Sequence, residues 1–272
     1  MPPASSEAVV LRTWPVQEAD LVVSFFTRDY GLLKGIAKSA LKSRKRFGGA
    51  LEPMTMVRAW FAERPRQDLV RLDQLEIVSS PLAQPVDLAR ATVLSFYAEL
   101  LDESLPERDP QETIFRLLVS VLEHTHALQP NLAEPQLAEP RQIEPRLIEP
   151  RQIEPWMPLT YFQLWMTRLM GLLPDLAHCT VCGETLHAAE AYFQSHTDGL
   201  FCPLHRASSA QLLTADSWQL ALRMLRAPVA AFATEPFPRR RALDLRRFTL
   251  QSLERHLERK LRTAEALSRL GA

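Results

Sequence analysis

The stretch that decides the fold is PMTMVRAWFA, residues Pro53–Ala62, in which side-chain character changes from each position to the next. One alternating set is Thr55, Val57, Ala59 and Phe61, and the other is Met54, Met56, Arg58 and Trp60. A period of two places successive side chains on opposite faces, which is typical of a β-strand and not of a helix. The stretch therefore predicts a strand over these residues.

Four more short runs of β-branched and aromatic residues share the N-terminal third of the chain with this strand. They are Glu7–Trp14, Leu21–Thr27, Tyr30–Ala37 and Leu69–Val78. Gly31, the last residue of the segment RDYG, supplies the positive φ that a tight hairpin turn requires. Five strands within about 80 residues predict a small closed barrel, and the OB-fold has this strand count.

The rest of the chain changes to the helical period of 3.6 residues and predicts a mostly α-helical domain. Its apolar stripes run through Val86–Leu101, Ile114–Leu122, Leu159–Leu173 and Leu250–Ala264, the last as one long C-terminal helix. The predicted fold class is therefore α+β. We expect the OB-fold at residues 1–80 and the helical domain at residues 81–272.

A repeat interrupts the helical domain, because residues 131–155 are NLAEP, QLAEP, RQIEP, RLIEP and RQIEP. Proline at every fifth position forbids a continuous helix or a central strand, since it removes a backbone donor and clashes with the preceding turn. The repeat predicts an extended surface loop. Nothing in it is large and apolar enough to anchor a partner, which favours a tolerated loop expansion over a peptide ligand.

Two closely spaced pairs of potential metal ligands follow the pattern C-x2-C-x19-C-x2-H. The four residues are Cys179, Cys182, Cys202 and His205. Thiolates and an imidazole in two such pairs are typical of a zinc ribbon or knuckle. We predict one structural zinc ion in an insertion at residues 176–207, because four protein ligands leave no open coordination position. Other candidates for the fourth ligand, without the two-residue spacing, are His178, His187 and His196.

Charge is unevenly distributed, although 32 basic and 32 acidic residues give a net charge of zero. Between Gly31 and Leu51 there is no acid, and the cations are Lys34, Lys38, Lys42, Arg44, Lys45 and Arg46. A solvated surface normally mixes both signs, so this basic segment, Lys34–Arg46, predicts a DNA phosphate partner. OB-folds also stack bases on aromatic side chains. The nearby aromatics, which alternatively form the barrel core, are Phe25, Phe26, Tyr30, Phe47 and Trp60.

A second group of cations, the arginine patch, precedes the predicted C-terminal helix. It comprises Arg239, Arg240, Arg241, Arg246 and Arg247. Arginine forks bind phosphates and carboxylates through two hydrogen bonds, so the first three residues predict a second DNA contact or a dock for an acidic partner. A solvated helix start is an equal alternative. Cations near a helix N-terminus oppose the helix dipole, which mildly favours an external anion.

Length, composition and motifs argue against several classes of protein. The 272 residues contain no apolar run long enough to span a membrane, and the first ten residues lack the pattern of a secretory signal. Three cysteines favour a reduced, cytoplasmic protein. The common phosphate-loop, dinucleotide, nucleophile-elbow and zinc-protease motifs are missing, so we expect a binding protein with no catalytic residues and no small-molecule substrate. The alternatives are a zinc-ribbon adaptor for protein partners and a metal-dependent nuclease.

Several motifs together resemble the RecO family of bacterial recombination mediators. In chain order they are Val9–Leu11, Glu18–Val22, Phe26–Gly31, Lys38–Ala40, Lys42–Arg44, Leu51–Pro53, Leu169–Leu176, Cys179–Gly183 and Arg255–Leu257. The resemblance covers nearly the whole chain except residues 127–157. Zinc-bearing members usually have four cysteines, and His205 stands at the fourth position here.

The resemblance implies an N-terminal OB-fold, a helical C-terminal domain, a zinc-binding insertion and a role without catalysis. It also implies binding of single- and double-stranded DNA and annealing of complementary strands. Together with RecR, such proteins load RecA onto strands coated by single-strand-binding protein. The implied location is the bacterial cytoplasm, in association with the nucleoid and with no membrane partner.

Overall fold

The computed structural model of the protein describes residues 3–63, 67–83, 85–125, 154–187 and 191–270. Its N-terminal strands are β1 (Ala4–Pro15), β2 (Leu21–Thr27), β3 (Gly31–Ala37), β4 (Met56–Ala62) and β5 (Val70–Ser79). They close into a barrel in the order β1-β2-β3-β5-β4, in which β3 and β5 are parallel and the other neighbours are antiparallel. The predicted five-stranded, OB-like barrel is confirmed.

Strand β1 contains a β-bulge that changes which of its side chains face the barrel interior. Val10 pairs with Phe25 and Arg12 pairs with Ser24, so Leu11 is an extra residue between two paired positions. A one-residue insertion reverses the inward and outward alternation of every residue that follows it. The half of β1 after the bulge therefore presents a different set of side chains to the surface.

Two buried cores hold the molecule together, one inside the barrel and one between the barrel and the helices. Phe25 and Phe61 fill the barrel interior, with ring centroids 5.9 Å apart. Residues on the outer barrel wall join the second core, where the ring of Phe26 lies 5.5 Å from that of Phe115. The helices therefore cover part of the outer wall of β1 and β2.

A mostly helical domain follows the barrel, as predicted, although its boundaries stay predictions. Its helices are α1 (Leu88–Ser104), α2 (Glu112–Thr125), α3 (Trp156–Leu169), α4 (Ala215–Met224), α5 (Leu243–His256) and α6 (Arg262–Arg269). A small sheet in the order β7-β6-β8 comprises β6 (Ala191–Gln194), β7 (Thr197–Phe201) and β8 (Gln211–Leu213). None of the helices in the described ranges has the length and apolar character needed to cross a membrane.

The prediction of one long C-terminal helix is wrong, because the chain turns between α5 and α6. Glu258 has φ 53°, in the left-handed region, and its amide donates to the carbonyl of Arg255. The amide of Arg259 donates to the carbonyl of Glu254. These two bonds form a Schellman motif, which ends a helix. Glycine usually occupies the left-handed position, and glutamate there leaves no signal in the sequence.

The proline repeat predicted as a surface loop at 131–155 lies outside the described residues, apart from its last two. Pro155 directly precedes α3, with φ −76°. A proline is well tolerated at the start of a helix, because its amide would have no partner there. The end of the repeat therefore coincides with the beginning of α3.

Candidate nucleic-acid interface and metal centre

The connection between β3 and β4, which carries most of the basic segment, covers one end of the barrel. Phe47 is 1% exposed and packs with Ala40 and Ala50 into the barrel core. The amide of Leu75 on β5 donates to the carbonyl of Arg46 at 2.9 Å. Apolar side chains of the connection thus anchor it in the barrel core, and its charged side chains remain on the surface.

Four cations of this connection are exposed and free of acidic partners. They are Lys38, Lys42, Arg44 and Lys45. No ion pair within the described ranges includes any of them. Uncompensated positive charge at this density attracts polyanions and is the electrostatic requirement for binding a nucleic-acid backbone.

Arg46 differs from these four because the connection itself uses its guanidinium group. Its Nε donates to the hydroxyl of Ser43 at 3.0 Å, and its Nη2 donates to the carbonyl of Lys38 at 2.7 Å. The guanidinium also lies over the ring of Phe47, 5.0 Å from the centroid. Replacing Arg46 would therefore change the shape of the connection as well as its charge.

Lys34, on β3, already has an acidic partner in the helical domain. Its Nζ lies 2.6 Å from Oε1 of Glu107, and this hydrogen bond raises the pKa of Lys34. Both side chains are more than a third exposed, so water and ions screen the pair. A DNA phosphate would have to compete with Glu107 for this lysine.

Most of the aromatics near the basic segment are buried, Phe25 and Phe47 in the barrel core and Phe26 in the core between the barrel and the helices. Phe25, Phe26 and Phe47 are at most 1% exposed and cannot stack on a base. Tyr30 is 39% exposed, but its ring packs edge-on against Phe61 at 5.3 Å. The core interpretation of these side chains is therefore the correct one, and Trp60 alone of the five retains a half-exposed position on the outer wall.

The arginine patch is largely an internal structure. Nη2 of Arg241 lies 2.8 Å from Oε2 of Glu235, and its Nη1 donates to the carbonyl of Pro236 at 2.6 Å. Arg223 pairs with the other carboxylate oxygen of Glu235. One carboxylate thus neutralises part of the charge on two arginines, in a contact that the local sequence does not reveal.

Arg246 is buried beneath this contact and supports the packing of α5 against α3. It donates to the hydroxyl of Thr160 at 2.9 Å, to the carbonyl of Arg241 at 2.8 Å and to the carbonyl of Arg239. The guanidinium groups of Arg239 and Arg246 lie 5.3 and 5.7 Å from the ring centroid of Trp156. Burial lowers the pKa of Arg246 to about 10. The exposed members of the patch are Arg240 and Arg247.

The structure brings the four predicted metal ligands together. Donor atoms of Cys179, Cys182, Cys202 and His205 all lie within 4.8 Å of one another. The Sγ atoms of Cys182 and Cys202 are 4.0 Å apart, and Nδ1 of His205 is 3.2 Å from Sγ of Cys202. Tetrahedral zinc with bonds of 2.0–2.3 Å requires donors about 3.5–3.8 Å apart. The cluster could therefore hold a metal ion of this size.

Backbone geometry at the first knuckle favours the thiolate form of Cys179. The amide of Gly183 donates to the carbonyl of Cys179 at 2.8 Å, and Gly183 adopts φ 72° to complete the turn. Burial tends to raise the pKa of the Cys179 thiol, but backbone amides of Cys182, Cys202 and Val181 outweigh it and lower this pKa to about 6. A thiol with a low pKa is readily present as the thiolate that a metal requires.

The three alternative histidines are not part of this cluster. Nδ1 of His178 is bound to Oδ2 of Asp175 at 2.6 Å, and His187 and His196 are exposed elsewhere on the surface. The two-residue spacing therefore identified the histidine that lies with the three cysteines. It succeeded because both members of each pair lie on one short turn, where sequence distance determines spatial distance.

Comparison with known proteins agrees with this architecture. The chain matches the family described as Recombination protein O N terminal over residues 1–81, and Recombination protein O C terminal over residues 85–138 and 146–265. DNA repair protein RecO of Koribacter versatilis is 47% identical over 265 residues, which are 97% of this chain and 98% of that protein. DNA repair protein RecO of Anaeromyxobacter dehalogenans (strain 2CP-1) is 30% identical over 270 residues, 98% of this chain and 97% of the relative. The chain, from its barrel to its C-terminal helices, belongs to the RecO family of DNA repair proteins.

Proposed function

We propose that the protein is a non-enzymatic recombination mediator that binds single- and double-stranded DNA and anneals complementary strands. Together with RecR, it would help to load RecA onto DNA coated by single-strand-binding protein, in the bacterial cytoplasm at the nucleoid. Family membership supports a role in DNA repair. The observation that carries the DNA-binding part is the set of four exposed cations at the end of the barrel, which have no ion-pair partner among the described residues.

These cations are suited to phosphates and not to base edges. Three of the four are lysines, whose ammonium groups act as point charges without the planar fork that reads a guanine. Contacts of this kind position DNA but carry no sequence information. We therefore infer binding with little base preference, which suits a protein that anneals strands of any sequence.

Replacing Lys38, Lys42, Arg44 and Lys45 with alanine tests this proposal, and Arg46 is kept because it shapes the connection. Affinity for fluorescent single-stranded DNA should fall more than about tenfold at low salt, and the log–log salt slope should become shallower by roughly 0.7 per lost contact. Annealing of complementary strands should decrease in parallel, because it requires both strands near one protein.

A matched control removes the same charge from another surface. Exposed arginines of the helical domain that have no ion pair among the described residues are suitable for this: Arg116, Arg206, Arg226 and Arg262. The control should bind DNA with a nearly unchanged salt slope. Equal binding by the four-cation variant and the wild-type protein at two salt concentrations would refute the proposed interface. Binding that is insensitive to salt would instead favour an adaptor that recognises partners through apolar surface.

We also propose that the cysteine–histidine cluster holds one structural zinc ion. Three thiols and one imidazole are a donor set that zinc prefers, and four protein ligands leave no position for a reacting water. This arrangement does not support a metal-dependent nuclease. The bound ion would connect the two knuckles, so its loss should affect stability more than DNA binding.

Metal analysis of protein purified without chelator should give about one zinc per chain. Cys179→Ser should lower the melting temperature while leaving the DNA salt slope unchanged, and His205→Ala should reduce the zinc content. Protein without zinc would overturn the assignment of the metal. Full zinc content in His205→Ala would overturn only the assignment of the fourth ligand.

A further inference from the structure

The β-bulge in β1 turns Trp14 out of the barrel. After the bulge, Thr13 pairs with Val23, which is part of the barrel core, and Trp14 pairs with Val22 on the outer wall. If β1 continued to alternate regularly from Val10 through Leu11, without the bulge, Trp14 would point into the barrel. Bulges frequently occur where a strand must re-aim a side chain for a functional purpose.

Trp14 belongs to a row of neighbours that crosses four strands. Trp14 pairs with Val22, Val22 with Ile36, and Ile36 with Arg71. The first three side chains are half-exposed, and in the described part of the chain neither buried core includes them or packs against them. We call this set the outer row. It is an apolar strip on the surface, with an indole ring at one end.

Cations adjoin the outer row on both sides, but those on the side of the helical domain are ion-paired, Arg12 with Asp102 and Glu103 and Lys34 with Glu107. The next row toward the helical domain contains Arg12, Ser24 and Lys34, and the guanidinium of Arg12 lies 5.9 Å from the ring centroid of Trp14. On the other side, the amide of Leu41 in the basic segment donates to the carbonyl of Ala19, in the turn that follows β1. The indole is therefore placed between Lys34 and the exposed cations of the connection.

Acids also lie near this surface, but they are already engaged. Asp20 accepts a hydrogen bond from the amide of Ser39 at 2.7 Å, and Asp73 forms a two-point ion pair with Arg71. Neither carboxylate is paired with a cation of the connection. The positive charge that a phosphate backbone could meet beside the indole therefore comes from the exposed cations of the connection.

We propose that Trp14 is a stacking platform for an unpaired base of single-stranded DNA, next to the phosphate contacts of the basic segment. This inference rests on the proposed DNA-binding function. A single strand offers both of the required groups, a charged backbone and an exposed aromatic base face. A duplex keeps its base faces stacked inside, so the platform discriminates between single- and double-stranded DNA.

The barrel contains a natural control, because Trp60 is also half-exposed on the outer wall. Trp60 pairs with Ser5 and Gln74, and the adjacent row contains Arg58 between Glu7 and Glu76. In the part of the chain that the structure describes, no guanidinium group lies over the ring of Trp60, whereas that of Arg12 lies over Trp14. Trp60 therefore offers a half-exposed indole that differs from Trp14 in its charged neighbours, which makes it a control for the platform.

The test uses full-length variants Trp14→Ala, Trp14→Phe and Trp60→Ala, with a fluorescent oligothymidylate, the same strand with abasic sites, and a duplex. Trp14→Ala should weaken binding to the oligothymidylate by about 5- to 100-fold, which is the usual contribution of one stacked base. Its salt slope should not change, because no phosphate contact is lost. Trp14→Phe should stay within about threefold of the wild-type protein, and Trp60→Ala should bind normally.

Two comparisons separate failure of this inference from failure of the proposed function. Wild-type protein should prefer the oligothymidylate to the abasic strand, and Trp14→Ala should lose this preference while binding the duplex normally. If Trp14→Ala binds all three DNAs like wild type while the four-cation variant does not, the platform is wrong and the interface stands. If Trp14→Ala weakens duplex binding equally, its effect is structural and the platform is also wrong. Should Trp14→Ala unfold, Trp14→Leu provides an apolar side chain without an aromatic face and must show the same losses.

Discussion

The basic segment and the arginine patch carry similar charge in the sequence but differ in what surrounds each cation. The segment has six cations within thirteen residues, and the patch has five within nine. In the segment, four cations extend into solvent without an acidic partner. In the patch, Glu235 pairs with Arg241 and also with Arg223 of α4. Arg246 is buried against α3. Charge density alone therefore does not distinguish a binding surface from an internal support.

The difference follows from the chemistry of the two side chains. Arginine carries five donors in a planar fork and stacks on aromatic rings, so a fold can use it as a rigid connector. Arg246 shows this use, because it links Thr160, two backbone carbonyls and the ring of Trp156. Lysine is strongly hydrated and flexible, and it remains available to an external anion. Four of the five lysines in the chain lie in the basic segment.

The largest effect should come from removing the central connector of the patch. Arg246→Ala leaves buried acceptors without a donor, and hydrogen bonds to charged groups contribute about 1.5–3 kcal/mol each. We expect the free energy of unfolding to fall by about 3 kcal/mol in urea denaturation. The exposed neighbour Arg247 is the control, since Arg247→Ala should change it by less than about 0.5 kcal/mol. Equal effects of the two changes would show that Arg246 is not a support.

Releasing a paired cation of the basic segment should strengthen DNA binding. Glu107→Gln preserves the size of the side chain but removes the charge that holds Lys34, so this lysine becomes available to a phosphate. We expect affinity for single-stranded DNA to rise about threefold and the salt slope to steepen by roughly 0.7. An unchanged slope in a two-salt titration would mean that Lys34 does not reach the DNA.

Stability of the patch should depend on pH through Glu235. The hydrogen bond from Arg223 lowers the pKa of this carboxyl, and Arg241 adds to the shift against the opposing effect of burial. A lowered pKa means that the stabilisation is present above the ordinary value of 4.5 and is lost as pH falls through the lower folded value. Glu235→Gln should therefore cost about 1 kcal/mol at pH 7. Its difference from the wild-type protein should shrink as pH falls below 4.5 and through the lowered folded value, which urea denaturation at a series of acidic pH values would measure.

Local patterns in the sequence predicted the elements whose cause is local. The alternation in Pro53–Ala62 identified β4, and the two-residue spacings identified the cysteine–histidine cluster, because both depend on neighbours along the chain. The bulge at Leu11 was not predictable, since it appears only when β1 is aligned with β2. Its consequence, the outward position of Trp14, was therefore missed.

Long-range contacts explain the remaining errors in the candidate site. Arg246 and Thr160 are 86 residues apart, and Lys34 and Glu107 are 73 residues apart, so no local pattern connects either pair. The helix break after α5 was missed for a different reason, because Glu258 adopts a conformation that glycine normally provides.

The smallest effect should come from Arg240. Of the three arginines predicted to contact DNA, it alone is exposed to solvent, as the four cations of the connection are. Arg240 is exposed, whereas Arg239 stacks on Trp156 and Arg241 pairs with Glu235. Arg240→Ala removes at most one flexible contact with a DNA phosphate. It should therefore weaken DNA binding by no more than about twofold and change the salt slope by at most roughly 0.7. Fold stability should not change, which thermal melting would check. If Arg240→Ala instead weakens binding as much as the four-cation variant, the arginine patch is a main DNA site, and exposure without an acidic partner is not what separates the two regions.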